Sequence, residues 1–188
     1  MEAIARYVFE AGMLKRVKRS GWWAENIKDP ETVAEHSFRT GIIALILAKM
    51  EGLDDDSANR LCAAGVFHDM LEARIGDMNK VTARYVTVKE SLEEKVIKDQ
   101  IADLPSDIKN AIPKTKKLSV LERSILRDAD YLECAFQAKE YSDAGNKGTF
   151  GWISHIEKRL KTKSAKKLIL QMKRMDSNSW WEGLKKLV

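Results

Sequence analysis

Apolar residues recur at three- and four-residue intervals along almost the whole chain, and no Asn-Gly or Asp-Gly pair divides alternating runs. That period lays an apolar stripe along each of a series of helices and carries no signature of strands. The spacing therefore predicts an all-α fold. A first amphipathic helix is expected over 3–17, with Ile4, Tyr7, Val8, Ala11 and Leu14 on one face and Ser20-Gly21 breaking the pattern. After a loop carrying Trp22, Trp23 and Asp29-Pro30, a second helix over 32–50 is almost wholly apolar past Thr40, which predicts a central, largely surrounded position. A third starts near Asp56 or Ser57 and runs through Leu61, Ala64 and Phe67 to about Arg74, where Gly76 stops it.

Two later helices are announced by capping boxes, Thr87-x-x-Glu90 and Ser119-x-x-Glu122, in which hydroxyl and carboxylate satisfy free amides reciprocally. The first is expected to reach Asp103 before Pro105, and the second to run over 120–144 with Gly145 as its stop. Shorter helices are expected over 150–161, 164–175 and 179–187. With no internal repeat and no linker, residues 1–188 read as one domain. Its site-bearing core spans about 30–145, and the helices of 150–188 pack on it.

Composition narrows the setting more than the chemistry. With 44% hydrophobic and 32% charged residues and three prolines, the chain is neither disordered nor fibrous. Cys62 and Cys134 lie far apart without a Cys-x-x-Cys partner, so neither a disulfide framework nor a zinc-thiolate site is expected. The N-terminus carries no apolar signal segment, and the run from Ile42 to Ala48 is too short to span a bilayer. A soluble cytoplasmic protein without a membrane partner is the expectation. The net charge of +5 favours anionic partners, and eight basic residues with no acidic one fall between Lys158 and Arg174. Such a run reads first as a solvated helix face.

The chemistry is carried by Phe67-His68-Asp69-Met70-Leu71-Glu72. An adjacent His-Asp pair among aliphatic residues is costly to bury unless a metal or partner satisfies it. A second of the three histidines, His36, opens another apolar helix, so a shared divalent metal site is the leading idea. On a continuous helix Glu72 would lie one turn from His68 on the same face. A further carboxylate ligand is sought in Arg127-Asp128-Ala129-Asp130, where helical phase places Asp128 somewhat closer to the buried face than Asp130 and leaves both open. His155, with nothing clustered around it, reads as a hydrogen-bonded core histidine. Trp180 and Trp181 read as packing or dimer contacts.

The chain resembles the HD-domain metal-dependent phosphohydrolases, and within them the 5'-deoxynucleotidase branch. The resemblance is carried by residues 14–22, by Pro30-Glu31-Thr32-Val33-Ala34-Glu35-His36-Ser37, by Val66 to Glu72, by Gly76-Asp77 and by Ala129-Asp130. It covers roughly residues 5–145. It implies a single-domain HD-type helical bundle with the metal site between its central helices, and His36, His68, Asp69 and Asp130 as ligands. It thereby prefers Asp130 over Asp128. It further implies Glu72 and Asp77 as active-site acids, Trp22 as a sugar contact, and Arg19 as the phosphate-binding arginine. In bacterial members that arginine directly precedes the tryptophan, whereas here Gly21 does.

The implied activity is hydrolysis of (deoxy)nucleoside 5'-monophosphates with one divalent metal: cobalt, manganese, nickel, zinc or iron, with magnesium possible. The implied assembly is at least a homodimer. Two alternatives stand beside it. One is an HD hydrolase of another phosphate substrate, such as a cyclic nucleotide, a nucleoside triphosphate or an alarmone. The other is a basic nucleic-acid-binding protein with a structural metal. The Arg-x-x-Trp segment offers groups for one phosphate and one sugar, no Gly-rich phosphate loop is present, and a nucleic-acid partner is not expected.

Overall fold

The structure, a computed structural model, describes residues 1–86, 90–113 and 117–184. The fold is all-α: among the described residues there is no strand, and one isolated antiparallel bridge joins Lys18 to Thr32. Helix α1 (Glu2–Ala11) ends earlier than expected and tightens into a 3-10 turn over Gly12–Lys15. This turn buries Leu14 in a small cluster with Val33 and Met70. The segment read as a loop holds a second 3-10 turn, Ser20–Glu25, stopped by Asn26 in the left-handed region. That turn buries Trp22.

Helix α2 (Val33–Met50) starts where the spacing placed it. Thr32 accepts the Glu35 amide while the Glu35 carboxylate accepts the Thr32 amide, a complete capping box. Its inner face buries Val33, His36, Thr40, Ala44 and Leu47. The expectation that it is surrounded does not hold in the single chain, because Phe38, Ile42, Ile46 and Met50 stand exposed at four-residue spacing. Helix α3 (Asp55–Phe67) is capped by Asp54, two positions before Asp56, the earlier of the residues proposed. It crosses α2 at a glycine pair so close that a Cβ on Gly65 would lie 2.8 Å from the Gly41 Cα. No side chain fits between the two backbones.

Short helices α4 (Glu72–Ile75) and α5 (Thr82–Tyr85) lead to α6 (Glu90–Gln100) and α7 (Ser106–Ala111). Thr87, the proposed cap of α6, lies outside the described residues. Helix α8 (Val120–Asp143) is the longest and carries the predicted Ser119/Glu122 capping box. Helices α9 (Phe150–Glu157) and α10 (Lys163–Met172) pack their Ile153, Ile156, Ala165 and Ile169 into the same core cluster as Leu47, Leu61, Ile125 and Leu132. In place of the last helix there is a 3-10 turn over Ser179–Trp181, with 185–188 outside the described residues. His155 is on the surface rather than in the core, its Nδ1 3.0 Å from the Gly151 carbonyl. No helix among the described residues is long and apolar enough to cross a membrane.

Candidate metal centre

Three elements converge on one point. Helix α2 supplies His36 from its first turn, the C-terminal end of α3 supplies His68 and Asp69, and the middle of α8 supplies Asp130. The third helix does not continue to Arg74 as its periodicity predicted. After Phe67 the backbone tightens, with the amides of Met70, Glu72 and Ala73 each bonding the carbonyl three residues back. That tightening swings the His-Asp pair off the helical register, and Glu72 begins a new helix instead of sitting one α-turn beyond His68.

The donor atoms are close and mutually unsatisfied. His36 Nε2 lies 3.3 Å from His68 Nε2, 3.2 Å from Asp130 Oδ1 and 3.7 Å from Asp69 Oδ2, and His68 Nε2 lies 3.2 Å from the same Asp69 oxygen. The tautomers follow from the other ring nitrogens. His68 Nδ1 is 2.6 Å from the Gly65 carbonyl, and His36 Nδ1 is 2.5 Å from Glu133 Oε2, so both Nδ1 atoms carry protons and donate. In the neutral rings both Nε2 atoms are then bare, and they face each other and two carboxylates. Such a ring of lone pairs needs a positive charge inside it. Without a metal, protons answer the need: burial opposes the imidazolium, yet Asp130 and Glu133 push the His36 pKa up to about 10, and Asp69 raises that of His68 against the same burial. One donor atom each of His36, His68 and Asp69 lies within 4.8 Å of the other two, as do those of His36, Asp130 and Cys134, so two donor triads share His36. The residues fit a divalent metal.

Behind His36 lies a second layer that the sequence did not flag. Glu133, fully buried, accepts from Arg39 Nε at 3.0 Å and Arg39 Nη2 at 2.8 Å through the oxygen not used by His36, and Arg39 continues to Gln137 and Glu140. Glu31, also buried, accepts the Trp22 indole N–H at 3.0 Å. Burial first, and then the nearby Glu133 carboxylate, push the Glu31 pKa up to about 8.

On the other side of the donors, Arg19 Nη1 lies 3.5 Å from Asp69 and 3.0 Å from Asp77, and its Nη2 reaches the Cys134 sulfur at 3.5 Å. Asp77 also accepts the Ser20 amide at 2.8 Å and the Ser20 hydroxyl at 2.6 Å, so both its oxygens are engaged. Glu72 is different: its Oε2 is buried with no hydrogen-bond partner among the described residues. Burial, then the charges of Asp69 and Asp77, push the Glu72 pKa up to about 9. Trp22 is only 2% exposed, stacked on Trp152 at 4.4 Å and set edge-on to Tyr141.

The HD-domain family model matches residues 11–173. The 5'-deoxynucleotidase HDDC2 of Bos taurus is 33% identical over 159 residues, spanning 78% of this chain and 76% of that protein. The chain belongs to the HD-domain family. A solved structural-genomics protein, APC5600, superposes on this HD domain with a TM-score of 0.81 at 34% identity, covering 96% of this chain and 99% of that one. The HD phosphohydrolase DatZ of cyanophage S-2L, solved with dA and one catalytic Zn2+ ion, shares the fold at 16% identity and a TM-score of 0.58.

Within this HD domain Asp128 and Asp130 do different things. Asp128 is fully buried and accepts the Thr162 amide and hydroxyl, both at 2.7 Å, together with the Lys161 amide, so it holds the N-terminus of α10. Asp130 faces the histidines. Helical phase correctly located the more buried aspartate, but burial and proximity to His36 are separate properties. Glu133 and Arg39 could have been sought three residues beyond Asp130 and His36, one helical turn along the same faces.

Proposed function

We propose that the protein is a metal-dependent phosphohydrolase that releases phosphate from deoxynucleoside 5'-monophosphates. The observation that carries this reading is the cluster of donor atoms from His36, His68, Asp69 and Asp130, set beside one arginine and one unpartnered carboxyl. The relatives named 5'-deoxynucleotidase support the substrate class. His36, His68, Asp69 and Asp130 would hold a divalent cation, which would supply Lewis-acid chemistry towards the phosphate and the attacking water. Arg19, already aimed at the donor set by Asp77 and Asp69, orients the phosphate dianion. Glu72, with one oxygen free and a pKa pushed up to about 9 by burial and by Asp69 and Asp77, gives its proton to the 5' oxygen as the P–O bond breaks and takes one back from the attacking water.

Asp77 and Trp22 take roles other than those the resemblance implied. Asp77 acts by fixing Arg19 and Ser20, because both of its oxygens are committed to them. An indole 2% exposed offers a sugar almost no surface, so Trp22 acts by anchoring the Arg19–Ser20 segment to Glu31 and Trp152.

The mixed imidazole–carboxylate set suits manganese, cobalt, nickel, zinc or iron, with magnesium the weakest candidate. Two free cysteines accord with a reducing, cytoplasmic setting. A second copy of the chain is the expected partner, packed on the exposed Phe38, Ile42, Ile46 and Met50 stripe of α2. The test is a panel of ribo- and deoxynucleoside 5'-monophosphates, cyclic nucleotides and triphosphates, assayed for phosphate and pyrophosphate with each metal in turn. Preferential phosphate release from the deoxy monophosphates is expected; pyrophosphate release, or inertness towards all monophosphates, overturns the reading.

A further inference from the structure

A cavity of about 460 Å3 opens onto His68 and Asp130, on a wall that does not include Arg19, Glu72 or Asp77. Its other polar lining is Ser124 and three cations, Arg123, Arg127 and Lys161. On α8, Arg123 and Arg127 lie seven and three residues before Asp130, about 10.5 and 4.5 Å along the axis and within roughly 60° of its face. The candidate metal ligand thus ends a stripe of two arginines.

These cations are held at their bases while their charges stay open. Arg127 donates to the Tyr131 hydroxyl at 3.1 Å with its guanidinium 5.3 Å from that ring, and Arg159 lies 5.9 Å from the same ring. Arg123 donates to the Leu118 carbonyl, and the Lys161 amide is pinned by buried Asp128. Elsewhere Arg39, Arg60, Arg74 and Lys139 each touch a carboxylate. Among the described residues no ion pair involves Arg123, Arg127 or Lys161. Three cations against the single carboxylate of Asp130 around one cavity favour an anion there.

The same cavity is walled by Leu118, Val120 and Leu126. Apolar surface beside the cations suits a nucleoside lying in the cavity better than a bare polyphosphate chain. We propose that this cavity binds a second phosphate of the substrate, carried on the sugar of a nucleoside 3',5'-bisphosphate whose 5'-phosphate lies at the donor set. The proposal rests on the phosphohydrolase reading for the identity of the reacting group; the anion subsite itself is read from α8 and the cavity.

Titration calorimetry in chelator compares a deoxynucleoside 3',5'-bisphosphate, the 5'-monophosphate and the 5'-diphosphate on the full chain and on an Arg123→Ala/Arg127→Ala double variant. Both side chains are exposed, so their removal leaves the core intact. The bisphosphate should bind about tenfold more tightly than the monophosphate, from two open cation contacts, and the double variant should lose most of that ratio. The same ratio should appear in KM for the metal-loaded enzyme. Equal binding of mono- and bisphosphate, an advantage that survives in the double variant, or an equal gain for the 5'-diphosphate overturns the proposal. If no monophosphate is hydrolysed in any metal, the function reading falls, and the calorimetric ratio still decides the subsite.

Discussion

Replacing Glu133 with glutamine should leave the chain folded and loosen its hold on metal. The carboxylate is fully buried, with one oxygen 2.5 Å from His36 Nδ1 and the other shared by two nitrogens of Arg39. Its negative charge makes His36 Nε2 a stronger donor and fixes the ring so that Nε2 faces His68 and Asp130. Glutamine has the same shape but only one acceptor oxygen. If that oxygen faces His36, the amide nitrogen meets the Arg39 donors; if it flips, His36 loses its acceptor. Arg39 retains Glu140 and Gln137, so the first arrangement costs less. One poorly matched buried donor costs about 1–3 kcal/mol of stability, against a typical total of about 5–15 kcal/mol. Loss of a carboxylate behind a metal-bound histidine lowers metal affinity about 10- to 100-fold. Competition with a chromogenic chelator measures Kd for Co2+ directly, and the cobalt d–d spectrum reports whether the ligand field changed. An E133Q protein that binds Co2+ within about threefold of the parent, with an unchanged spectrum, refutes the claim that Glu133 sets His36.

Gly65→Ala should lower Tm and metal affinity together, because its Cβ would meet the Gly41 backbone at 2.8 and 2.9 Å and push apart the helices bearing His36 and His68; overpacking of this kind costs about 1–3 kcal/mol. Gly12→Ala, with nothing within 4 Å and a helical φ of −62°, is the neutral comparison by thermal unfolding. In chelator, Glu31 should make the chain less stable as pH rises. Its folded pKa of about 8 exceeds the ordinary 4.5, so over that window the folded chain keeps a proton that the unfolded chain has lost, and stability falls between pH 4.5 and 8 and then levels. Glu31→Gln keeps an acceptor for Trp22 and should remove this slope, gaining on the order of 2–4 kcal/mol over the parent at pH 8.5 relative to pH 5 in denaturant titrations; parallel profiles for the two proteins contradict the assignment.

The elements most legible in the sequence were those with local chemical signals. Ser119 and Glu122 started α8 where their spacing said, and Gly52, Gly76 and Gly145 take the positive φ values that their places after helices required. Periodicity failed at Phe67, since the residues from His68 to Leu71 remain compatible with a helix and nothing in their spacing announces the i to i−3 hydrogen bonds that tighten the backbone there. It also mistook the apolar run of α2 for a surrounded helix, because a stripe that stays exposed in one chain has the same composition as one that is covered. The proposed donors were named in the sequence by residue type and, for Asp130, by resemblance, and the structure places Asp130 Oδ1 3.2 Å from His36 Nε2. Glu133, Arg39 and the committed oxygens of Asp77 were not, because a buried carboxylate looks in sequence like any helix-surface acid until the opposite helix is in place.

The central claim is that His36, His68, Asp69 and Asp130 form one divalent metal centre on which phosphate release depends. Equilibrium dialysis with Co2+, paired with phosphate release from a deoxynucleoside 5'-monophosphate, tests it in the parent and in His68→Ala, whose folding is checked by circular dichroism. The account predicts one tightly held ion per chain and cobalt-dependent release in the parent, and loss of both in the variant. Tight binding of one ion with undiminished release in folded His68→Ala would contradict it.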